Sequence, residues 1–260
     1  MKKQFKPTIS IIMNCHNGER YLHNSLTSVI NQSYKNWELI FFDNFSNDKS
    51  KDIFESFKEK RFIYFKTIKK LKLYNARRLA IKKCRGKYVS FLDTDDIWKK
   101  KKLAYQINLL EKKNCEILYS KFDINNLILK KKYLNSNIDL PNGKITQLLL
   151  DDYRVGILTV ILKKKIFEKI NFNKKYSIIG DFDFFVRLSK KFKICSSNKS
   201  LAIYRNHSGN LSNNRLDIYI EELKKWLKVN KITLRDYNLF KIKFFLFKLR
   251  VKKILSLFKK

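Results

Sequence analysis

The chain has 260 residues, 58 of them Lys or Arg against 23 Asp or Glu, for a formal net charge of +35. Hydrophobic residues make up 44% and aromatics 14%, enough apolar material for a sizeable core, which excludes a disordered chain. The length suits one medium domain, or one domain with a helical appendage.

The charge admits nucleic acid, an anionic membrane surface or acidic substrates as partners. A plainer cause is also open: the chain is rich in Lys, Asn, Ile and Phe and has only 6 Gly and 2 Pro, as an AT-rich coding sequence would give. Cys15, Cys84, Cys115 and Cys195 are widely spaced with no CxxC pair. That argues against a zinc ribbon or a disulfide scaffold and suits a reducing cytosol. The apolar run Ile9 to Met13 is too short for a signal-peptide core, and no run approaches the roughly 20 apolar residues of a membrane span. A cytoplasmic location is expected.

In chain order, Thr8 to Cys15 reads as a buried strand. A loop at His16–Glu19 leads to a helix from about Arg20 to Gln32, where Tyr21, Leu22, Leu26, Val29 and Ile30 recur at helical spacing. Trp37 to Asp43 is a second strand, ending in an acid; a turn at Asn44–Asp48 and a helix to about Lys60 follow. Phe62 to Lys66 is a short strand, and a helix runs from about Tyr74 to Lys83. Tyr88 to Leu92 is a short apolar run of the kind that forms a buried strand. This alternation is that of a mostly parallel sheet wrapped by helices, a Rossmann-like α/β fold. Further on, a helix at about Lys101–Lys112 precedes strand candidates at Glu116–Ser120, Leu127–Tyr133 and Leu158–Leu162. Leu140–Gly143 is a turn, a helix begins near Asp181, Ser200 to Arg205 is a last strand, and the chain is helical from Leu216. The expected division is a domain at 1–215 and a basic helical extension at 216–260.

The strand at Tyr88 delivers three carboxylates within four positions, Asp93, Asp95 and Asp96. Strand C-termini are where open α/β sheets build ligand sites. Two acids one residue apart can share a hard cation such as Mg²⁺ or Mn²⁺, which takes the rest of its shell from phosphates and water. The pattern Asp93-Thr94-Asp95 therefore points to a metal–diphosphate site, though an acidic turn explains the same residues.

Ordered along the chain are Ser10-Ile-Ile-Met-Asn-Cys-His-Asn17, Ser28-Val-Ile-Asn-Gln-Ser-Tyr34, Glu38-Leu-Ile-Phe-Phe-Asp-Asn-Phe-Ser-Asn-Asp48, Asn75-Ala-Arg77, Gly86-Lys-Tyr-Val-Ser-Phe-Leu-Asp-Thr-Asp-Asp96 and Gly180-Asp-Phe-Asp-Phe-Phe-Val-Arg-Leu188. Together they resemble the inverting nucleotide-sugar glycosyltransferases of the GT-A fold, the family 2 type, over residues 8 to 210. The resemblance implies that Asn14 and His16 meet the nucleotide base and that Asp43 and Asn44 line the base and ribose pocket. The family often has Asp-Asp where this chain has Asp43-Asn44. It places Arg77 over the base or diphosphate. It makes Asp93 and Asp95 the metal–ribose pair, with Asp96 available to share the metal. It makes Asp181 the catalytic base, in a place where Glu-Asp is common and this chain has Gly180-Asp181. Tyr204-Arg-Asn-His207 resembles the family's C-terminal segment, with His207 on the diphosphate or metal. Local structure offers plainer roles: a turn cap for Asp43, a solvated helix charge for Arg77, a helix cap for Asp181.

The implied activity is transfer of a sugar from a nucleotide diphosphate, UDP- or dTDP-linked, to a hydroxyl of a glycan or lipid-linked glycan. It would proceed with inversion and Mg²⁺ or Mn²⁺, in bacterial surface polysaccharide or lipopolysaccharide synthesis. Two rivals are a catalytically inactive relative that only binds, and a basic nucleic-acid-binding protein. The latter leaves the acids at strand and helix ends unexplained, and nucleic acid is not expected as a partner. In the tail, Phe240, Phe244, Phe247, Val251, Ile254 and Phe258 repeat at four-three spacing, and ten Lys or Arg stand against one acid from Lys231 to Lys260. This suits an interfacial helix on anionic lipid, at the inner face of a membrane; a helix packed on its own domain or on a second copy is the other reading.

Overall fold

Short runs that are apolar on both sides need cover on both sides, and helices supply it here in two layers. The computed structural model describes residues 6–210 and 215–257, with side chains to residue 255. The chain begins β1 (Ile9–Cys15), α1 (Glu19–Ile30), β2 (Trp37–Asp43), α2 (Ser50–Ser56), β3 (Phe62–Lys66), α3 (Leu73–Lys83), β4 (Tyr88–Phe91). These strands pair in parallel in the order β3-β2-β1-β4, with every residue of β2 buried.

The second half is less regular. It runs β5 (Ile97–Trp98), α4 (Lys102–Lys112), β6 (Ile117–Asn126), β7 (Lys131–Leu134), α5 (Thr146–Asp151), β8 (Ile161–Lys163), α6 (Ile166–Lys169), α7 (Gly180–Lys191), β9 (Cys195–Asn206), α8 (Leu216–Val229) and α9 (Phe240–Leu257). The sheet continues β4-β8-β6-β9-β5, with β7 on β6. Here β8, β7 and β5 run antiparallel to their neighbours, and β9 lies parallel to β6 with register shifts near Lys121. The result is a mixed α/β sheet whose parallel half carries the strand ends that matter for the site.

One apolar cluster, with Leu22, Leu26, Val29, Phe54 and Leu103, lies under α1, α2 and α4. The other, with Ala80, Phe91, Phe184, Trp226 and Leu246, lies under α3, α5, α7, α8 and α9. Helices α8 and α9 thus contribute Leu223, Trp226, Ile242, Leu246 and Leu249 to a cluster shared with the sheet. The Ser28 to Tyr34 motif has a structural task. Ser28 Oγ accepts from the Trp98 N–H at 3.1 Å, and Gln32 bonds the Lys99 carbonyl and the Leu103 N–H, tying α1 to β5 and α4.

The cysteine reading requires correction. Cys115 and Cys195 form a disulfide across 80 positions of sequence, while Cys15 and Cys84 are free and buried. Cys115 stands just before β6, and Cys195 opens β9 opposite Leu118. Strand pairing brings them together, which spacing along the chain cannot reveal. Elements β5, α5 and α6 were also invisible in the sequence: each is two to six residues long, too short to show a period.

Candidate active site

The ends of β1 and β2 are locked side by side. Asn17 and Gly18 donate backbone N–H bonds to Ser46 Oγ and Ser50 Oγ at 3.0 and 2.9 Å, and Asp48 accepts from the Glu19 N–H at 2.9 Å. Asp43 is fully buried beneath this junction; its oxygens accept from the Ser46 N–H at 2.7 Å and the Tyr64 hydroxyl at 2.5 Å. Asn44 donates to the Leu71 carbonyl and accepts from the Leu71 N–H, both at 2.8 Å. An Asp at this position could accept but not donate, so the amide is what clamps the loop before α3. His16 Nδ1 lies 3.1 Å from the Asn44 carbonyl. Asn14 differs from all of these: both amide atoms are buried with no protein partner. A buried amide left so costs stability unless a ligand completes it.

Arg77, on α3, is 1% exposed. It donates to Asp181 Oδ1 at 2.6 Å and to Asp93 at 2.8 and 3.2 Å. The guanidinium lies 5.4 to 5.9 Å from the rings of Tyr74, Phe91 and Phe172, a dry setting in which its charge is only weakly screened. Burial pushes the Asp181 carboxyl up from the ordinary Asp value, and the contact with Arg77 offsets part of that rise. Asp181 sits in the first turn of α7, behind Gly180. A Cβ on Gly180 would fall 2.3 Å from the Tyr74 ring, so the residue before Asp181 is small because Tyr74 fills its space. The segment ahead of α7 is held from α8, where Glu222 accepts from the N–H groups of Ser177, Ile178 and Ile179 at 2.6, 2.9 and 3.2 Å. Trp226 Nε1 donates to Asp183 Oδ1 at 3.0 Å, and Asp183 also takes Arg187 at 2.6 Å. Asp183 is therefore consumed in packing, whereas Asp181 faces the cavity.

Asp95 Oδ2 lies 3.1 Å from both His207 Nε2 and Asn210 Nδ2. Burial raises its carboxyl above the ordinary value, and the neighbouring Asp93 adds to the rise. Asp96 is 2% exposed and accepts from the Arg205 N–H at 3.0 Å; burial pushes it well up. The Asp93–Asp96 loop hangs on Arg205, from the Tyr204–His207 segment, and on Ser25, which sequence reading passed over. Ser25 Oγ lies 2.6 and 2.7 Å from the Thr94 and Asp96 carbonyl oxygens, which share its one hydroxyl hydrogen, and Arg205 donates to the Asp95 carbonyl and Ser25 Oγ. Nothing in the sequence singled out Ser25, because its partners lie 69 and 71 positions away.

A cleft of about 890 Å³ opens over these groups, within the range of small-molecule sites. Asn14, His16, Asn44, Arg77, Asp93, Asp95 and Asp181 all line it; Asp43 and His207 do not, though each bonds or neighbours a residue that does. A carboxylate and an imidazole at Asp95 and His207 are donors of the kind Mn²⁺ accepts. Among the described residues, no group of three or more His, Cys, Asp or Glu is placed to hold an ion alone. The donor set fits a cation that completes its shell from substrate phosphates and water. Both oxygens of Asp93 accept from Arg77 and the residue also lines the cleft.

The same fold occurs in S. aureus TarS residues 1–349 in complex with UDP-GlcNAc, with a TM-score of 0.63 at 17% identity over 85% of this chain and 66% of that one. It occurs again in the mannosyltransferase PcManGT from Pyrobaculum calidifontis, in complex with GDP-Man and Mn²⁺, with a TM-score of 0.62 at 11% identity over 86% and 65%. The architecture is thus the GT-A fold of glycosyltransferases. The model of glycosyl transferase family 2 matches residues 10–192, and the chain belongs to that family. It is 29% identical over 215 residues to the Escherichia coli UDP-Glc:alpha-D-GlcNAc-diphosphoundecaprenol beta-1,3-glucosyltransferase WfaP, covering 82% of this chain and 83% of that one. It is 42% identical over 106 residues to an uncharacterized glycosyltransferase of Haemophilus influenzae, and 32% over 111 residues to the putative teichuronic acid biosynthesis glycosyltransferase TuaG of Bacillus subtilis. These two matches cover 40 and 42% of this chain and only 42 and 44% of those proteins.

Proposed function

We propose that the protein transfers a sugar, with inversion, from a nucleotide diphosphate to a hydroxyl of a glycan or lipid-linked glycan. The observation that carries this reading is the Asp93–Arg77–Asp181 bridge. One buried guanidinium holds the strand-end acid and the helix-start acid at the same cleft. Asp181 is the base. As the acceptor oxygen bonds to the anomeric carbon, its proton passes to the Asp181 carboxylate, and the bond to the diphosphate breaks with its electron pair leaving on the diphosphate. Arg77 keeps Asp181 ionised against the pull of burial and fixes its aim. Asp95 and His207 would hold the Mg²⁺ or Mn²⁺ whose charge offsets that of the departing diphosphate. The unpartnered Asn14 amide supplies a donor and an acceptor for the base edge, and His16 borders it.

UDP is the favoured nucleotide, with dTDP the alternative; WfaP carries UDP-Glc in its name and TarS was solved with UDP-GlcNAc. The acceptor enters by a second hollow of about 530 Å³ that shares Phe122 and Ile124 with the main cleft. Asn135, Ser136, Asn137 and Arg154 line it, polar groups suited to sugar hydroxyls, and the Tyr153 hydroxyl there is buried without a partner. The undecaprenol-linked substrate in the WfaP name, and the name of TuaG, support a lipid-linked acceptor in bacterial surface polysaccharide synthesis.

The test is a thermal-shift panel of UDP, dTDP, GDP and CDP with and without Mn²⁺. A ligand that binds only the folded state raises Tm by mass action. A Mn²⁺-dependent shift with UDP or dTDP, lost in Asp95→Ala, is expected. Absence of any nucleotide shift would overturn the reading, and tight, salt-sensitive RNA binding in its place would favour a nucleic-acid role.

A further inference from the structure

Helix α9 carries apolar side chains on two opposite faces. Ile242, Leu246 and Leu249 are buried in the cluster shared with the sheet. Phe240, Phe244, Phe247, Val251 and Ile254 point the other way and are 38 to 70% exposed. At about 100° per residue these five fall within an arc of about 80°. Their rings form a ridge, with centroids 6.2 Å apart from Phe240 to Phe244 and 6.3 Å from Phe244 to Phe247. The same helical arithmetic puts Lys243 and Arg250 along one edge of the ridge and Lys241, Lys248 and Lys252 along the other. All five cations are exposed, Lys248 lies 4.6 Å over the Phe244 ring, and α9 contains no acid. Phe258, the last residue of the stripe expected from sequence, lies outside the described residues.

An exposed apolar ridge between two rows of cations matches one kind of surface: acyl chains beneath anionic headgroups. A second copy of this chain fits poorly, because two such faces would bring two sets of cations together with no acid between them. Spanning is excluded for α9 itself, since no described helix is long and apolar enough to cross a membrane. The helix is also fixed to the body of the protein. Gln147 on α5 exchanges two bonds of 2.9 Å with the Asn238 backbone, and Lys241 pairs with Asp151 at 3.5 Å. From Asp151 the chain runs straight through Tyr153 and Arg154 to Gly156, at the two cavities.

We propose that α9 lies in the headgroup–acyl boundary of an anionic bilayer, with Phe244 and Phe247 inserted and the flanking Lys and Arg on lipid headgroups. This binding does not depend on which sugar is moved, or on transfer at all. The test is flotation of the full chain with vesicles of phosphatidylcholine alone or mixed with phosphatidylglycerol at about 7:3. Wild type should float with the anionic vesicles about tenfold more than with the neutral ones. The variant Phe244→Ser/Phe247→Ser, which alters no charge, should lose about tenfold of that binding and keep its Tm, because both side chains are exposed. Lys243→Glu/Arg250→Glu should lose a similar amount by the electrostatic route. Failure of the wild type to float, or equal flotation by the Phe variant, overturns the proposal; the latter would mean that overall charge alone drives adsorption. A concentration-dependent dimer abolished by the Phe variant would also overturn it, assigning the face to a second copy. The UDP–Mn²⁺ thermal shift of the Phe variant separates this result from any failure of the glycosyltransferase reading.

Discussion

Arg77 contacts one acid 16 positions away and another 104 positions away, and that double contact governs the chemistry expected of Asp181. Asp181→Asn keeps the shape and an acceptor for Arg77 but cannot take a proton. Turnover should fall by about 10² to 10⁴ while the nucleotide-induced Tm shift persists. The pH profile carries a second prediction. The base must be ionised, and burial raises its pKa, so the acid limb of kcat/KM should lie above the ordinary Asp value of about 3.9. Replacing Arg77 by Gln removes the cation that favours the ionised form, which moves the limb to still higher pH. It also leaves two partly exposed acids without their shared cation, at a cost of about 1 to 3 kcal/mol in urea denaturation. A limb that stays in place in Arg77→Gln would remove Arg77 from the control of the base. At this scale sequence reading identified the acids and Arg77 but not their partners. Asp43 accepts from Ser46 and Tyr64, and Asn44, which lines the cleft, also grips Leu71. Residue type announces what a side chain can bond, and neighbours decide what it does bond.

The elements that aim these residues come from outside the motifs. Glu222 on α8 satisfies three backbone N–H groups immediately before α7, so it sets the entry of the helix that carries Asp181. In Glu222→Gln one oxygen becomes an NH₂ that faces donors. A loss of about 1 to 3 kcal/mol is expected, with a fall in kcat and little change in nucleotide affinity. Equal loss in kcat and nucleotide binding would point to general unfolding instead. On α4, Lys102 is fully buried, with Nζ on Ser90 Oγ at 3.0 Å and Gln106 Oε1 at 2.8 Å, and burial drives its pKa well down. The folded state then binds fewer protons here than the unfolded state, so this group makes stability rise with pH from its lowered value up to about 10.4. Comparing wild type with Lys102→Met in urea at neutral and alkaline pH should show the variant with the flatter dependence. Elements marked by dense apolar runs or helical spacing were legible from the sequence: β2, β3 and α3 lie within a residue of their expected bounds. Strand β9 begins at Cys195 instead of Ser200, because its polar opening residues show no alternation and gain strand form only from pairing with β6.

Across the whole molecule, two features set stability apart from the site. The disulfide closes a loop of 80 residues. On the loop-entropy account such a link contributes about 4 kcal/mol, so Cys115→Ser or added reductant should lower Tm by several degrees. An unchanged Tm would mean the unfolded chain gains little freedom when the link is cut. The net charge of +35 repels itself in the compact state, and salt should raise Tm in the absence of any nucleotide. By itself, the sequence determined the parallel strand–helix half and the acids at the strand and helix ends. It did so because periodicity and clustered carboxylates are local signals. It also marked α9 as basic and apolar. Only the tertiary structure decided the Cys115–Cys195 link, the antiparallel strands β5, β7 and β8, and the Arg77 bridge. It also decided the hold of α8 on α7 and which of the two apolar faces of α9 stays exposed. Each of these joins residues far apart in the chain, and a contact of that kind is created by packing and leaves no trace in the spacing of letters.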